Sequence, residues 1–284
     1  MKKQHFVLPT MLLVSVLSAC GGNSLTQQQA VDVAKKIKAY HEADTFAYKQ
    51  DKVTMTSSVG MNGYVLDSEI RFIKDNYVYM YSKMSAQAES SSSVPDMVTI
   101  QYLYAKDGKY YSAQSLLGVV SGGEITKAEF DVAYTGTSSN PGLGVQALKS
   151  IDESAEGMYA SLNAFITECD TSSSSSVSVT SSQSVATASS VSDTKDEFSY
   201  SSTGDGNLTI TDTTTQSNSS TQSSGVATLV FNDYYPESMT VVGSETAVSG
   251  STTQTTDIAI DGRFHWDSCT PIYPDLTSSS SSSK

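Results

Sequence analysis

Residues 98–111 read VTIQYLYAKDGKYY, and they decide the fold. Ile100, Tyr102 and Tyr104 alternate with Gln101 and Leu103, a period of two that puts one set on one face of an extended strand. Asp107-Gly108 then separates this run from Tyr110. A tight two-residue hairpin needs a positive φ at both central positions, and Asp-Gly tolerates it. The stretch predicts two antiparallel strands joined by a tight turn.

Reading outward, the same signals recur. Tyr77, Tyr79 and Tyr81 share one strand face and Val78 and Met80 the other, after a turn at Lys74-Asp75-Asn76. Residues 45–112 read as a meander of about five strands around Phe46, Tyr64, Tyr77, Val98 and Tyr110, with a loop at Ser90 to Ser93 and Pro95. Helices flank it. Thr26-Gln27-Gln28-Gln29 fits a capping box, and Val33, Ile37 and Tyr40 follow at helical spacing. Asn140-Pro141 opens a long helix whose apolar face runs through Leu143, Ala147, Ile151, Ala155, Met158, Leu162, Phe165 and Ile166. Strand signals return at Phe198-Ser199-Tyr200, Leu208-Thr209-Ile210, Ala227 to Phe231, Met239 to Val242 and Asp257 to Trp266. Between the long helix and these strands, residues 170–192 hold 15 Ser or Thr among 23 and no aromatic. Such a stretch buries too little to offset its ordering entropy and reads as a disordered insert. The order predicts an α+β domain over 26–276, with a mostly antiparallel sheet, and a disordered Ser-rich tail at 277–284.

Composition excludes several classes of function. The chain has 284 residues and a formal charge of −13, so it lacks the basic footprint of a nucleic-acid binder. Ser and Thr supply 81 residues, which makes any single Ser uninformative as a nucleophile. No Gly-x-Ser-x-Gly, Walker or His-Glu-x-x-His pattern occurs. His41, at a helix end, reads as a solvated cap, and His265 as an outward strand residue. Asp205-Gly206-Asn207 is half a calcium loop without the later Glu, and reads as a turn. No catalytic residue, cofactor or metal ligand is expected. The 16 Tyr suit strand packing, and tyrosine stripes also line carbohydrate and peptide grooves.

The first 20 residues, MKKQHFVLPTMLLVSVLSAC, carry an address. Lys2 and Lys3 precede an apolar core from Phe6 to Leu17, then small residues, the pattern of a secretory signal peptide at 1–19. Leu17-Ser18-Ala19-Cys20 resembles the lipobox of bacterial lipoproteins. That resemblance implies diacylglyceryl transfer to Cys20, palmitate-type acylation and a lipidated tether over 20–25. It places the domain on the extracytoplasmic face of the cell membrane, or at an outer membrane where the host has one. Cleavage removes Lys2 and Lys3 and no acid, taking the charge to −15. Cys169 and Cys269 then form an even pair in an exported chain and are a disulfide candidate across about 100 residues.

The helix from Thr26, the hairpin Tyr102 to Tyr111 and the pairs around Leu208 and Phe231 resemble the half-barrel lipoprotein carriers of bacterial envelopes. The resemblance implies a curved antiparallel sheet wrapped on two helices. Two functional readings follow: a lipoprotein with a surface-interaction or structural role and an envelope protein or glycan partner, or a binding module holding a lipid or other apolar ligand in a half-barrel cavity. Neither is enzymatic.

Overall fold

The computed structural model describes residues 23–42, 51–61, 63–86, 95–172, 193–217, 221–249 and 252–276. A two-residue strand β1 (Asn23–Ser24) leads into helix α1 (Gln27–Glu42). Six strands follow as one meander: β2 (Lys52–Met61), β3 (Tyr64–Ile73), β4 (Tyr77–Ala86), β5 (Met97–Lys106), β6 (Lys109–Leu116) and β7 (Val119–Ile125). Helices α2 (Lys127–Thr135) and α3 (Leu143–Ser172) come next. A second meander closes the order: β8 (Asp193–Gly204), β9 (Asn207–Ser217), β10 (Thr221–Asn232), β11 (Tyr235–Ser249) and β12 (Thr252–Trp266).

Local chemistry sets these boundaries. The Thr26 N–H donates to Gln29 Oε1 at 2.8 Å, and the Gln29 N–H donates to Thr26 Oγ1 at 3.3 Å, so the capping box read from the sequence starts α1. A second box, Thr126 with Glu129, starts α2, and its hydrogen bonds hold the Glu129 carboxyl below the usual carboxylate range. Asp75 and Asp107 take φ of 55° and 52°, with Gly108 at 75°, so both expected turns form.

The sheet runs β1-β8-β9-β10-β11-β12-β2-β3-β4-β5-β6-β7. The fold is α+β, but the half barrel on two helices is overturned. The sheet is open, with β1 and β7 as separate edges, and three helices lie on it. Closing or strongly curling a sheet takes bulges that bend strands. The described pairings shift register at only two places, Val230/Phe231 and Ser201/Gly204. Other differences are local. Phe46 and the expected loop at Ser90 to Ser93 lie outside the described residues, and the first described meander ends in a further strand, β7, with α2 after it. The strand signalled by Phe198-Ser199-Tyr200 starts earlier, at Asp193. Residues 170–172 are helical, whereas 173–192 and 277–284 lie outside the described residues.

The main core lies between the helices and one face of the sheet. α3 presents Ala147, Ile151, Ala155, Met158, Leu162 and Phe165 to Val53, Phe72, Val78, Leu103, Ile210 and Phe231, all in one buried cluster. Each fully buried side chain of this size contributes about 1.5–3 kcal/mol relative to exposure. α3 crosses the strands. Ser150 and Glu153 lie over β2 to β5, Tyr159 packs on Phe231 of β10, and Phe165 packs on Phe198 and Tyr200 of β8.

The opposite face carries a second core. Register pairs Tyr77 with Tyr104 and Tyr79 with Tyr102, and Tyr104 stacks on Tyr111 at 4.9 Å between centroids. Residues 267–276 strap across this ladder. The Tyr77 hydroxyl donates to Ile272 O and accepts from the Ile272 N–H, both at 2.7 Å. Arg71 donates to Thr270 O at 2.6 Å, Thr54 donates to Ser268 O at 2.9 Å, and Lys106 Nζ lies 4.4 Å from the centre of the Tyr273 ring. Strand packing is therefore what these tyrosines do.

Tyr77→Phe removes both bonds to the strap and leaves the Ile272 backbone groups unmatched. We expect a loss of about 1–3 kcal/mol, read as a lower urea midpoint at unchanged slope. Burial also raises the pKa values of Tyr77, Tyr79, Tyr102 and Tyr104, Tyr79 up to about 12. An unfolded tyrosine ionises near its ordinary value of 10.0 while the folded one keeps its proton. Stability should therefore fall between about pH 10 and 12. Alkaline denaturation curves check this, and a midpoint insensitive to pH in that window would contradict it.

Candidate functional site

The pairing register lays the helix-side residues of β5, β4, β3, β2, β12 and β11 out in rows. The row of Leu103, Val78, Phe72, Val53 and Trp266 packs in the helix-side core, and so does the row of Met80, Ile70, Met55 and Phe264, whose β5 member Gln101 is exposed. The third row is small from β5 to β12, with Thr99, Ser82, Ser68, Ser57 and Gly262, and ends on β11 at Met239, which packs on the core. The fourth is apolar across all six strands: Met97, Met84, Leu66, Val59, Ile260 and Val241. The fifth adds Tyr64, Met61 and Ile258. Past the third row apolar side chains emerge into solvent on β2 to β5, while Val59, Val241, Ile258 and Ile260 are half-buried. Met61, Leu66, Met84 and Met97 are 41–52% exposed. A trough of about 530 Å³ runs between the third row and α3, walled by Ser150, Glu153 and Ser154.

Charge is distributed unevenly over the two faces. Lys52, Arg71, Lys83, Lys106, Lys109 and Arg263 have the strand parity of the tyrosine face. Among the described strand residues, the helix side carries no Lys or Arg, and it holds Asp212 of β9 and Glu245 of β11. The trough wall adds Glu153, which Lys149 approaches to 3.6 Å one helical turn earlier.

None of the described residues singled out from sequence as candidate sites lies in the uncovered rows. Cys20 is outside the described residues. Cys169 and Cys269 are not joined by a disulfide, which overturns that expectation. Cys169 is buried in the helix-side core, beside Tyr200 of β8. Cys269 is buried with Tyr77 and Tyr79 on the other face, near β2. Five strand spacings, roughly 24 Å, and the sheet itself separate them, against the roughly 4.4–6.8 Å between Cα atoms that a disulfide needs. His41 is a correction too. Its side chain is 18% exposed, lies 2.9 Å from Glu156 and stacks on Tyr159 at 3.8 Å. His265 points outward as expected. Asp205 sits in the β8–β9 turn and pairs with Lys36 at 2.8 Å. Among the described residues, no group of three or more His, Cys, Asp or Glu is placed to hold a metal ion. No described helix is long and apolar enough to cross a membrane. The trough and a second recess of about 570 Å³ beneath the α2–α3 connection are both open to solvent, and neither is an enclosed apolar cavity.

No protein-family model matches the chain, and no curated protein matches it. Among solved structures the chain has a weak, low-identity match to a mycobacterial lipoprotein, LprF from Mycobacterium bovis. The TM-score is 0.29 at 9% identity, covering 89% of this chain and 99% of that one. At that score the role has to be argued from this chain's own residues.

The two described thiols should behave as separate buried groups. In native protein without reductant, we expect both to resist alkylation and to react fully after unfolding in urea, with melting unchanged by dithiothreitol. Recovery of a disulfide-linked peptide pair by mass spectrometry would contradict the assignment.

Proposed function

We propose that the chain is a lipoprotein anchored through Cys20 on the extracytoplasmic face of the membrane. Its folded domain binds an envelope partner on the uncovered helix side of the sheet, and its role is not catalytic. The lipobox Leu17-Ser18-Ala19-Cys20 supports the anchor. The observation that carries the interaction is the apolar fourth row, since contiguous apolar side chains left in solvent mark interaction surfaces. A net negative chain gains no attraction to anionic lipid from its own charge, so covalent lipid supplies the attachment.

Two coupled measurements test this in the host. Cys20→Ala should abolish labelling by an alkynyl fatty acid, and the chain from Gly21 exported behind a signal peptide without a lipobox should move from the membrane fraction to the soluble fraction. A photo-crosslinking residue at Leu66 should give a discrete adduct in the intact envelope, and one at Val242, on the other face, should not. Fatty-acid labelling of the alanine variant, or retention of the chain from Gly21 on the membrane, overturns the anchor; no adduct at Leu66 overturns the interaction.

A further inference from the structure

The shape and charge of the uncovered strip specify its partner more closely, an inference that rests on the interaction reading above. The strip shares its face with α3, so the helix layer stands above it by about one helix diameter, roughly 10–12 Å. A flat bilayer or the flat face of another sheet meets the helices before it reaches the recessed floor. From the third row to the fifth the floor is four residues wide, roughly 13 Å. From β5 to β11 it is five strand spacings long, roughly 24 Å, or about 16 residues of helix. One α-helix of about four turns fits this space, lying beside α3 and crossing the strands as α3 does.

The chemistry of the floor and of the α3 wall agrees. The floor offers Met84, Leu66, Val59 and Ile260 to an apolar helix face. On α3, the Ser150 hydroxyl donates to Gln146 O at 3.0 Å and the Ser161 hydroxyl to Gly157 O at 3.1 Å. These hydroxyls are satisfied within their own helix and ask nothing polar of a neighbour. Charge completes the selection. Helix-side Asp212 and Glu245 are acidic, as is the wall residue Glu153 beside Lys149, and among the described strand residues Lys and Arg lie on the other face. We infer that the strip is a docking groove for an amphipathic helix of another protein, apolar on one side and flanked by Lys or Arg.

The test uses the chain purified in its processed form and held in zwitterionic phosphatidylcholine nanodiscs, with empty discs as blank. The probe is a fluorescein-labelled peptide of about 16 residues, made of leucine and lysine with the leucines at helical spacing. Fluorescence anisotropy should give micromolar binding. An isomer of the same composition with alternating leucines should bind at least about tenfold more weakly, as should a leucine–glutamate version. Leu66→Lys with Met84→Lys should cost about tenfold or more, and Val226→Lys with Val242→Lys on the opposite face should cost nothing. Thermal melts confirm folding, and Leu66→Ser replaces the double variant if that one unfolds. Equal binding of the two isomers, equal binding of the acidic peptide, or no binding below millimolar overturns the inference. If Leu66 still crosslinks in the envelope in that case, the interaction reading stands and only the helical partner falls.

Discussion

Tyr77 faces Tyr104 across β4 and β5, and Val78 faces Leu103 one residue on. A slip of one residue between these strands would send the tyrosines into the helix-side core and the aliphatic residues to the strap. The register is pinned at the hairpins, where Asp75 in one turn and Asp107 with Gly108 in another accept positive φ. From there the pairing runs without a described shift from β12 through β7. Two distinct cores, the strap and the rows beyond α3 all inherit their positions from that alternation.

Each face is covered by a different device, and neither completely. The helices cover the helix side where the large side chains lie. On the other side the strap covers Tyr77 and Tyr104 by offering backbone groups, so the Tyr77 hydroxyl is matched twice while its ring is buried. A tyrosine is suited to that position because it combines a large apolar ring with a polar tip. A phenylalanine would bury the same ring and leave Ile272 N–H and C=O without partners. The same two-sided coverage explains why the sheet stays open: a sheet curling toward its helices would splay the face on which the tyrosine ladder and strap pack.

Much of this was legible in the chain. The hairpin at Asp107-Gly108, the capping box at Thr26 and the apolar face of α3 are local signals with local causes. β7 escaped because its run, VVSGGEI, spends two positions on glycine, which weakens both alternation and strand propensity. α2 escaped because its nine residues bury only Phe130, too little to trace a periodic face. The strap has no periodicity at all. Its partners Arg71 and Tyr77 lie about two hundred residues earlier, so only the folded sheet brings them together. The cysteines were misread for a related reason. Parity tells which residues share a strand face, but not on which side of the sheet the chain runs after Trp266. Cys269 follows the strap to the tyrosine side, away from Cys169. The half barrel failed because curvature depends on bulges and on what packs against each face, and neither has a local signature. The uncovered strip was present in the sequence as Val59, Leu66, Met84 and Ile260, each unremarkable alone. Only the register makes them a row.

The small residues beside that row are the last part of the physical account. Ser57, Ser68, Ser82 and Gly262 lie between the covered core and the exposed row, in strands where valine or leucine would be at home. Larger side chains there would extend the core against α3, each added buried CH₂ contributing about 0.8 kcal/mol. They would also fill the trough along α3. Stability alone therefore favours a filled trough and a polar fourth row, and the chain has the reverse, a low floor next to exposed apolar side chains. Positions where packing preference and observed residue disagree in this way are where function competes with stability. Here the disagreement runs across four strands in register, which gives it the dimensions of a site and not of a single tolerated residue.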